Sequence, residues 1–411
     1  MHLRPLAYHR GVTSPDSGPA YPDGAPATVR SKLISAAAAL FEETPPTEVT
    51  TKQIALAAGV NHGQIHHYFG SKHGLIAATI ADDTARYHQE RLAEATEFPL
   101  GLDADHRPRE WRTLAYLAAS GAWRQPPFEP SPVVSTLARR RAEDLGRPPE
   151  DTQVLSDVAA TLALQRGWWV FRDIIETALR EFEPDIAAVR REVSARSSRL
   201  FDESIRLGTR VDEYPSQPSP VQDGRPRGRN EVSESLMAAA VELLADHPPT
   251  KVTTKEIAAR AGVNHGQVHH YFASKEHLIA QSIRFGVDPL VQQIDMGTIP
   301  SPVPIRTERR LPVWRTLAHI ASTEEWVNEA YERAPLVRRS VDTIASRLDE
   351  PTTATTVQAQ AAVVHALELG WAIYRDIIEY GLDAMGGDID AIRRRLAAMS
   401  CRLVDEAVRV D

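Results

Sequence analysis

The chain has 411 residues, of which 42% are hydrophobic and 25% charged, and its formal net charge is −8. This length allows two to four domains of ordinary size, and the composition excludes a chain that is disordered throughout. The acidic balance argues against a general polyanion binder, and the apolar runs are too short for a membrane span.

Residues 1–28 contain many Pro and Gly residues and have no hydrophobic periodicity. We expect a disordered tail there. The segment has no apolar core of the kind that defines a signal peptide, so we expect a cytoplasmic protein. The single cysteine, Cys401, excludes a disulfide framework within the chain and a multi-cysteine metal site.

Most of the rest of the chain consists of two copies of one sequence unit. Residues 45–76 and 248–279 are identical at 24 of 32 positions, with an offset of 203 residues. The same offset relates WRTLA at 111–115 to 314–318, and RDIIE at 172–176 to 375–379. A constant offset over this length indicates duplication of a whole domain rather than a solenoid repeat.

Both copies are rich in Ala, Leu, Arg and Glu, and Pro falls between the periodic segments, so we predict an all-α fold. The helices predicted for the first copy lie near 29–43, 51–58, 62–69, 72–92, 107–122, 132–144, 152–181 and 185–208. Residues 210–229 are rich in Pro, Ser and Arg, which is typical of a linker.

A short helix, a glycine turn and a second short helix follow one another near the start of each copy. Thr50 and Gln53 fit a capping box, and Gly59 stands where a helix ends in a left-handed residue. Ile65 and Phe69 are one helical turn apart and point inward, which leaves a polar outward face. Residues 49–76 contain lysine but no acidic residue, as a DNA contact requires. The pattern is that of a helix-turn-helix.

These residues resemble the DNA-binding domain of the TetR family of transcriptional regulators. The shared pattern is Thr-Thr-x-x-Ile-Ala-x-x-Ala-Gly-Val at 50–60, then Tyr-Phe and Ser-Lys-x-x-Leu, and it recurs at 253–263 and beyond. The resemblance implies two tandem units, each with a DNA-binding domain and a divergent helical domain for ligand binding and dimerisation. The DNA-binding domains are then 29–92 and 230–288, and the second domains are 93–209 and 289–411.

The resemblance also implies which residues meet double-stranded DNA. In the first copy they are Thr51, His62, Gly63, Gln64, His66, His67, Tyr68 and Lys72. In the second they are Thr254, His265, Gly266, Gln267, His269, His270, Tyr271 and Lys275. The histidine and glutamine side chains are expected at base edges, whereas the threonine, tyrosine and lysine are expected at phosphates. The family usually has a small or hydroxyl residue and an aromatic residue where Gln64 and His66 stand, so no operator sequence carries over.

Other interpretations of single residues stay open. Tyr68 could cap the core of its domain, and Thr51 could serve only as a helix-start residue. His62 and His66 have an i, i+4 spacing known from metal sites, but no third ligand is evident, and we predict no metal and no cofactor. Enzyme motifs such as a P-loop, a nucleophile elbow or HExxH are absent from the sequence, so we predict no catalytic residues.

The second domains carry fewer signals. Six tryptophans are candidates for an aromatic-lined effector pocket, although core or interface positions are the more common use of such residues: Trp111, Trp123, Trp168, Trp314, Trp326 and Trp371. Arg172 and Glu176 have the spacing of an ion pair along one helix. The family dimerises through its last two helices, so we expect 152–181 and 185–208 to pack on 355–381 and 388–409 as a four-helix bundle.

The sequence thus predicts a ligand-responsive transcriptional repressor that binds DNA as a single-chain pseudo-dimer, with further self-association open. Because the two outward faces are the same, its operator should be nearly palindromic. The alternative is a small-molecule-binding or scaffold protein with a vestigial helix-turn-helix.

Overall fold

A computed structural model describes residues 28–46, 48–87, 102, 104, 105, 107, 111–120, 132–207, 231–247, 249–295, 312–323 and 335–405. All regular elements in these ranges are helices, which confirms the all-α class. None of the helices described there has the length and apolar character needed to cross a bilayer. Residues 1–27 of the predicted tail and the whole predicted linker lie outside the described ranges.

The described part of each unit contains eight α-helices. Those of the first unit are α1 Val29–Glu43, α2 Thr51–Ala57, α3 Gly63–Phe69, α4 Lys72–Tyr87, α5 Trp111–Ser120, α6 Pro132–Leu145, α7 Thr152–Leu179 and α8 Ile186–Leu207. Those of the second are α9 Glu231–Asp246, α10 Thr254–Ala261, α11 Gly266–Tyr271, α12 Lys275–Asp295, α13 Pro312–Thr323, α14 Pro335–Leu348, α15 Thr355–Asp383 and α16 Ile389–Asp405. The predicted end of the fourth helix, 88–92, lies outside the described residues.

The first four helices of each unit form a small domain, here called the head. In the first head, Leu33 and Phe41 of α1 pack with Ile54 of α2 and Ile65 of α3, and each is at most 1% exposed. Thr28, which the sequence assigned to the tail, instead caps α1: its hydroxyl oxygen accepts a hydrogen bond from the backbone N–H three residues later at 3.1 Å. Burial of one face on each short helix leaves the opposite face of α3 to solvent.

The long helices α7 and α15 cross in direct backbone contact. A Cβ atom placed on Gly167 would lie 1.8 Å from the carbonyl oxygen of Ala366, and one on Gly370 would lie 1.9 Å from that of Ala163. Only glycine fits at such a crossing. The two glycines are 203 residues apart, so the crossing relates equivalent points of the two units.

The last helices of both units, α8 and α16, pack beside α7 and α15. Their apolar stripes face inward, with at most 4% exposure for Val189, Val193, Leu200, Ile392, Leu396 and Leu403. The units touch again close to the heads, where Arg315 of α13 donates to the carbonyl oxygen of Ala119 in α5 at 2.6 Å. The second domains of the two units and the second head therefore share one extended core, and the first head has a core of its own.

Candidate nucleic-acid interface

The turn between α2 and α3 is shaped by two side-chain caps and a left-handed glycine. The Gln53 N–H donates to Thr50 Oγ1 at 3.2 Å, and the Thr50 N–H donates to Gln53 Oε1 at 2.8 Å. The chain then turns at Gly59, whose φ of +64° favours glycine. The Asn61 side chain accepts from the Gly63 N–H at 2.9 Å and so orients the start of α3. These contacts realise the predicted helix-turn-helix.

Helix α3 buries one side and presents the other. Ile65 is fully buried and Phe69 half-buried, as the spacing predicted. The exposed residues of the segment are His62, Gly63, His66, His67 and Tyr68, whereas Gln64 is half-buried. Thr51 and Lys72, at the starts of α2 and α4, are also half-buried. The outward surface of α3 is therefore polar and free of carboxylates.

The second head repeats this construction. Thr253 and Glu256 form the capping box of α10, and Gly262 turns the chain with a φ of +69°. Val268 takes the buried position of α11 at 1% exposure. The exposed residues are His265, Gly266, Gln267, His269, His270 and Tyr271, with Thr254 and Lys275 half-buried. Both heads thus carry the same residues in the same order, with the glutamine half-buried in the first and exposed in the second.

A hydrogen bond that the sequence did not reveal links α2 to the start of α3. Thr51 Oγ1 lies 2.8 Å from His62 Nε2, and Thr254 Oγ1 lies 3.0 Å from His265 Nε2. In each head the threonine and the histidine are 11 positions apart and belong to different elements. Helical periodicity therefore could not predict their contact. The threonine expected at a phosphate is here engaged with the histidine expected at a base, and it fixes the direction of that imidazole ring.

The histidines of each recognition helix also contact one another. The rings of His62 and His66 meet edge to face with centroids 6.1 Å apart, and those of His265 and His269 do so at 5.4 Å. These pairs have the spacing considered for a metal. Among the described residues, however, no group of three or more histidine, cysteine or carboxylate side chains stands close enough together to hold a metal ion.

The charges around the two faces are not identical. Burial lowers the pKa of Lys72, and the like charge of Lys251 in the second unit lowers it further. The second head carries Glu256 in place of Gln53, and the pKa of this carboxyl is lowered because the backbone and side chain of Thr253 donate to it. The lack of acidic residues predicted for the face therefore holds for the first head, while the second has a carboxylate in its capping box.

The tryptophans expected to line a pocket have two different environments. Trp111, Trp168 and Trp371 are at most 5% exposed, and the Trp168 Nε1 donates to the Ala104 carbonyl oxygen at 3.0 Å. Trp314 is partly buried against the same core. Trp123 and Trp326 lie outside the described residues. The four described side chains pack as core, and their part in effector binding stays a prediction.

Arg172 and Glu176, which were predicted to form a pair, both make their hydrogen bonds to other partners. Arg172 Nη1 donates to the backbone carbonyls of Ala104 and Asp105 at 3.3 and 3.4 Å. Glu176 instead receives two hydrogen bonds from Arg190 of α8, at 2.6 and 2.8 Å. The second unit repeats this pair between Glu379 and Arg393, at 2.6 and 2.7 Å. A bidentate ion pair thus joins the last two helices in each unit.

Comparisons with known proteins agree with the geometry of the heads. The model of the family described as "Bacterial regulatory proteins, tetR family" matches residues 33–79 and 236–281. The "HTH-type transcriptional repressor Rv3405c" of Mycobacterium tuberculosis (strain ATCC 25618 / H37Rv) is 29% identical over 175 residues, which are 41% of this chain and 89% of that protein. One unit of this chain therefore corresponds to nearly the whole of that relative.

Shorter matches come from regulators named BetI. The protein from Serratia proteamaculans (strain 568) is 40% identical over 79 residues, 19% of this chain and 37% of that protein. The one from Rhizobium meliloti (strain 1021) is 32% identical over 122 residues, 29% of this chain and 55% of that protein. Two family matches fall on two heads of the same construction, and the relatives are transcriptional regulators. The two heads are therefore of the kind found in the TetR family of bacterial regulatory proteins, and the chain is a DNA-binding transcriptional regulator built from two tandem units.

Proposed function

We propose that one chain binds one operator as an intramolecular pseudo-dimer and acts there as a ligand-responsive repressor. The observation that carries this proposal is the crossing of α7 and α15 at Gly167 and Gly370, which pairs equivalent points of the two units. Two helix-turn-helix heads related in this way suit the two half-sites of an inverted repeat. Such half-sites lie about 34–36 Å apart, one turn of DNA. A regulator acting on DNA would work in the cytoplasm.

The equal outward faces support a nearly palindromic operator. The segments NHGQIHHYF and NHGQVHHYF differ only at Ile65 and Val268, which are both buried. A glutamine can pair with the N6 and N7 atoms of adenine, and histidine can donate to purine N7 or O6. We infer that Gln64 and Gln267 read the same base in the two half-sites, while Tyr68, Lys72 and their counterparts hold the phosphates.

Repression and effector control are supported by weaker observations. The relative that covers one whole unit is named a repressor. The second domains of both units enclose tryptophans. Helices α5 and α13 of these domains pack on helices of the heads, and the bond between Arg315 and Ala119 joins α13 to α5. An effector held among these helices would change the separation of the heads. The protein binds DNA well only when that separation matches the spacing of successive major grooves.

The direct test is selection of bound sequences from random duplex DNA with the purified full chain. We expect an inverted repeat with matching half-sites and, by light scattering, a complex of one chain per duplex. Replacing Gln64 or Gln267 by alanine should weaken binding about tenfold each and relax preference at one position of one half-site, since a bidentate contact discriminates by about 1–3 kcal/mol. Arg139→Ala, on the exposed side of α6, should leave affinity unchanged.

Two results would contradict the proposal in different ways. If no sequence is enriched at low salt, the helix-turn-helix is vestigial and a small-molecule-binding or scaffold role takes precedence. If an inverted repeat is recovered but binds two chains, with one head of each in contact with DNA, the chain is a regulator that pairs between molecules.

A further inference from the structure

The surfaces that pair the two units are formed by equivalent helices but carry different polar residues. An ordinary symmetric dimer uses one surface twice, so each residue must suit its own symmetry mate. Here helices α7 and α8 meet α15 and α16, and the offset of 203 identifies the residue that takes each place in the other unit. Comparing the two sides shows which contacts exist only once.

One side of the contact contains a buried charge cluster. Asp157 of α7 is fully buried, and Arg141 of α6 donates to it at 2.7 Å. Arg395 belongs to α16, a helix of the second unit that packs on α7, and it is 6% exposed. Burial lowers the pKa of Arg395, and the nearby carboxylates of Asp157 and Asp151 partly offset that effect. The charge of Arg395 is thus compensated by acidic groups of the first unit.

The equivalent place on the other side has different chemistry. The counterparts of Asp157, Arg141, Arg395 and Asp151 are Gln360, Ile344, Glu192 and Ala354. Gln360 accepts a hydrogen bond from Arg196 Nη1 at 2.5 Å, and Arg196 also pairs with Glu192 at 2.8 Å. The residue equivalent to Arg196 is Met399, which has no charge.

Two further contacts between the units also run in one direction only. Arg338 of α14 forms a bidentate pair with Glu181 at 2.7 and 3.1 Å, but the equivalent positions hold Ser135 and Ala384. Gln358 Nε2 donates to the Phe182 carbonyl oxygen at 3.1 Å, whereas the equivalent of Gln358 is a leucine. The polar contacts described across this interface are therefore asymmetric.

We propose that these residues make the two units selective for each other, so that a first unit pairs with a second unit and not with its own kind. This inference rests on the proposed pseudo-dimer. Any pairing of two first units leaves two second units to pair together. In that arrangement each Arg395 would face Gln360 and lose both carboxylates, and a buried charge left without its partner is strongly destabilising.

The pairing of two first units is disfavoured less. Glu192 would take the place of Arg395 and bring a carboxylate towards Asp157, although Arg196 would offset part of that repulsion. Every pair of two first units leaves one pair of two second units. The free-energy cost of the unpaired Arg395 in the second pair therefore disfavours both wrong pairings together. The selectivity should therefore depend mainly on the Asp157, Gln360, Glu192 and Arg395 positions.

The test is a cycle of exchanges in the full chain. In the variant with Asp157→Gln and Glu192→Arg, both units carry the second unit's residues at these two positions. In the variant with Gln360→Asp and Arg395→Glu, both units carry the first unit's residues at these two positions. The variant with all four substitutions exchanges the two sets and restores complementarity. Each chain is unfolded in urea, and its mass and radius are measured by light and X-ray scattering.

We expect both two-residue variants to be less stable than the native chain, by at least about tenfold in the folding equilibrium. In each variant the two pairing surfaces carry the same residues at these positions, so the buried charges lose their partners. The four-residue variant should recover most of the loss, which distinguishes selectivity from general damage to the core. Arg394→Glu, at the exposed neighbouring position of α16, should leave the urea midpoint unchanged.

The selectivity is refuted if the two-residue variants match the native midpoint, or if the four-residue variant is no more stable than they are. A failure of the pseudo-dimer itself would have another signature. The native chain would then scatter as two separated units, or as two chains, before any substitution is made.

Discussion

Replacing Gly167 with alanine tests the contact between the two long helices. Gly167 lies inside α7, where alanine is ordinarily the better helix former by roughly 0.5–1 kcal/mol. At this position the added carbon would lie 1.8 Å from the carbonyl oxygen of Ala366 and 2.8 Å from the Cα of Gly370. Both are backbone atoms, which no change of rotamer can move aside.

The size of the effect follows from the separation that the methyl group demands. Cβ contacts shorter than 3.0 Å essentially do not occur, so α7 and α15 must move apart by at least 1.2 Å along this direction, the difference from 1.8 Å. A gap of roughly 1 Å already forfeits a quarter to a half of each dispersion contact along the crossing. Overpacking costs typically 1–3 kcal/mol, and here the obstacle is rigid. We expect a loss of about 3 kcal/mol in the free energy of unfolding.

Urea unfolding followed by far-ultraviolet circular dichroism measures this loss. The matched control is Gly381→Ala in α15, where the added carbon would meet a methyl group of Val134 at 2.8 Å. The atoms near that carbon belong to one side chain and not to a backbone, so the control should lose less free energy of unfolding than Gly167→Ala, by about 1 kcal/mol or more. If Gly167→Ala proves as stable as the native chain or more so, helix propensity alone governs the position, and the two helices do not cross there.

Three further outcomes are expected. Burial lowers the pKa of His365 to about 4, so between that value and 6.5 the unfolded chain binds a proton that the folded chain does not, and stability falls as the pH falls. His365→Leu, which copies Leu162 of the first unit, should therefore reduce the loss of unfolding free energy between pH 7 and pH 5 by roughly 2 kcal/mol; an unchanged pH profile in urea would contradict this. Thr51→Val should weaken DNA binding by freeing the His62 ring, with no change in the urea midpoint, and Thr51→Ser should retain the affinity. Lys72→Ala should lower affinity equally for all sequences and reduce the slope of log affinity against log salt by about one, whereas a changed sequence preference would place Lys72 at a base.

The heads could be predicted in detail from the sequence because their signals are local. The capping box of Thr50 and Gln53, the turn at Gly59 and the inward placement of Ile65 depend on residues a few positions apart. Each has one dominant conformation, and the duplication supplied the same evidence twice. The predicted first residues of α1, α6 and α7 are the observed ones for the same reason.

Contacts between elements could not be predicted in the same way. Glu176 was expected to pair with Arg172 along its own helix, but Arg190 of the next helix offers a bidentate partner and Arg172 turns to backbone carbonyls. Helical spacing shows which side chains share a face, but not which competing partner has the better geometry. The bond between Thr51 and His62 joins two helices across a turn, where no periodicity applies.

The two heads carry the same recognition residues, whereas the two sides of the pairing surface carry different polar residues. Both facts follow from what each surface has to contact. A palindromic operator offers each head the same half-site, so a change in one recognition helix alone would spoil one half of the contact. A pairing surface inside one chain has no such constraint, because Asp157 never has to face Glu192 of a second first unit, as it would in a symmetric dimer. Duplication therefore permits Arg395 to arise opposite Asp157 while Glu192 stands at the equivalent position beside Arg196. Recognition helices with the same outward residues, above a pairing surface whose polar residues differ, are the pattern expected of two units that bind like DNA sites and pair only with each other.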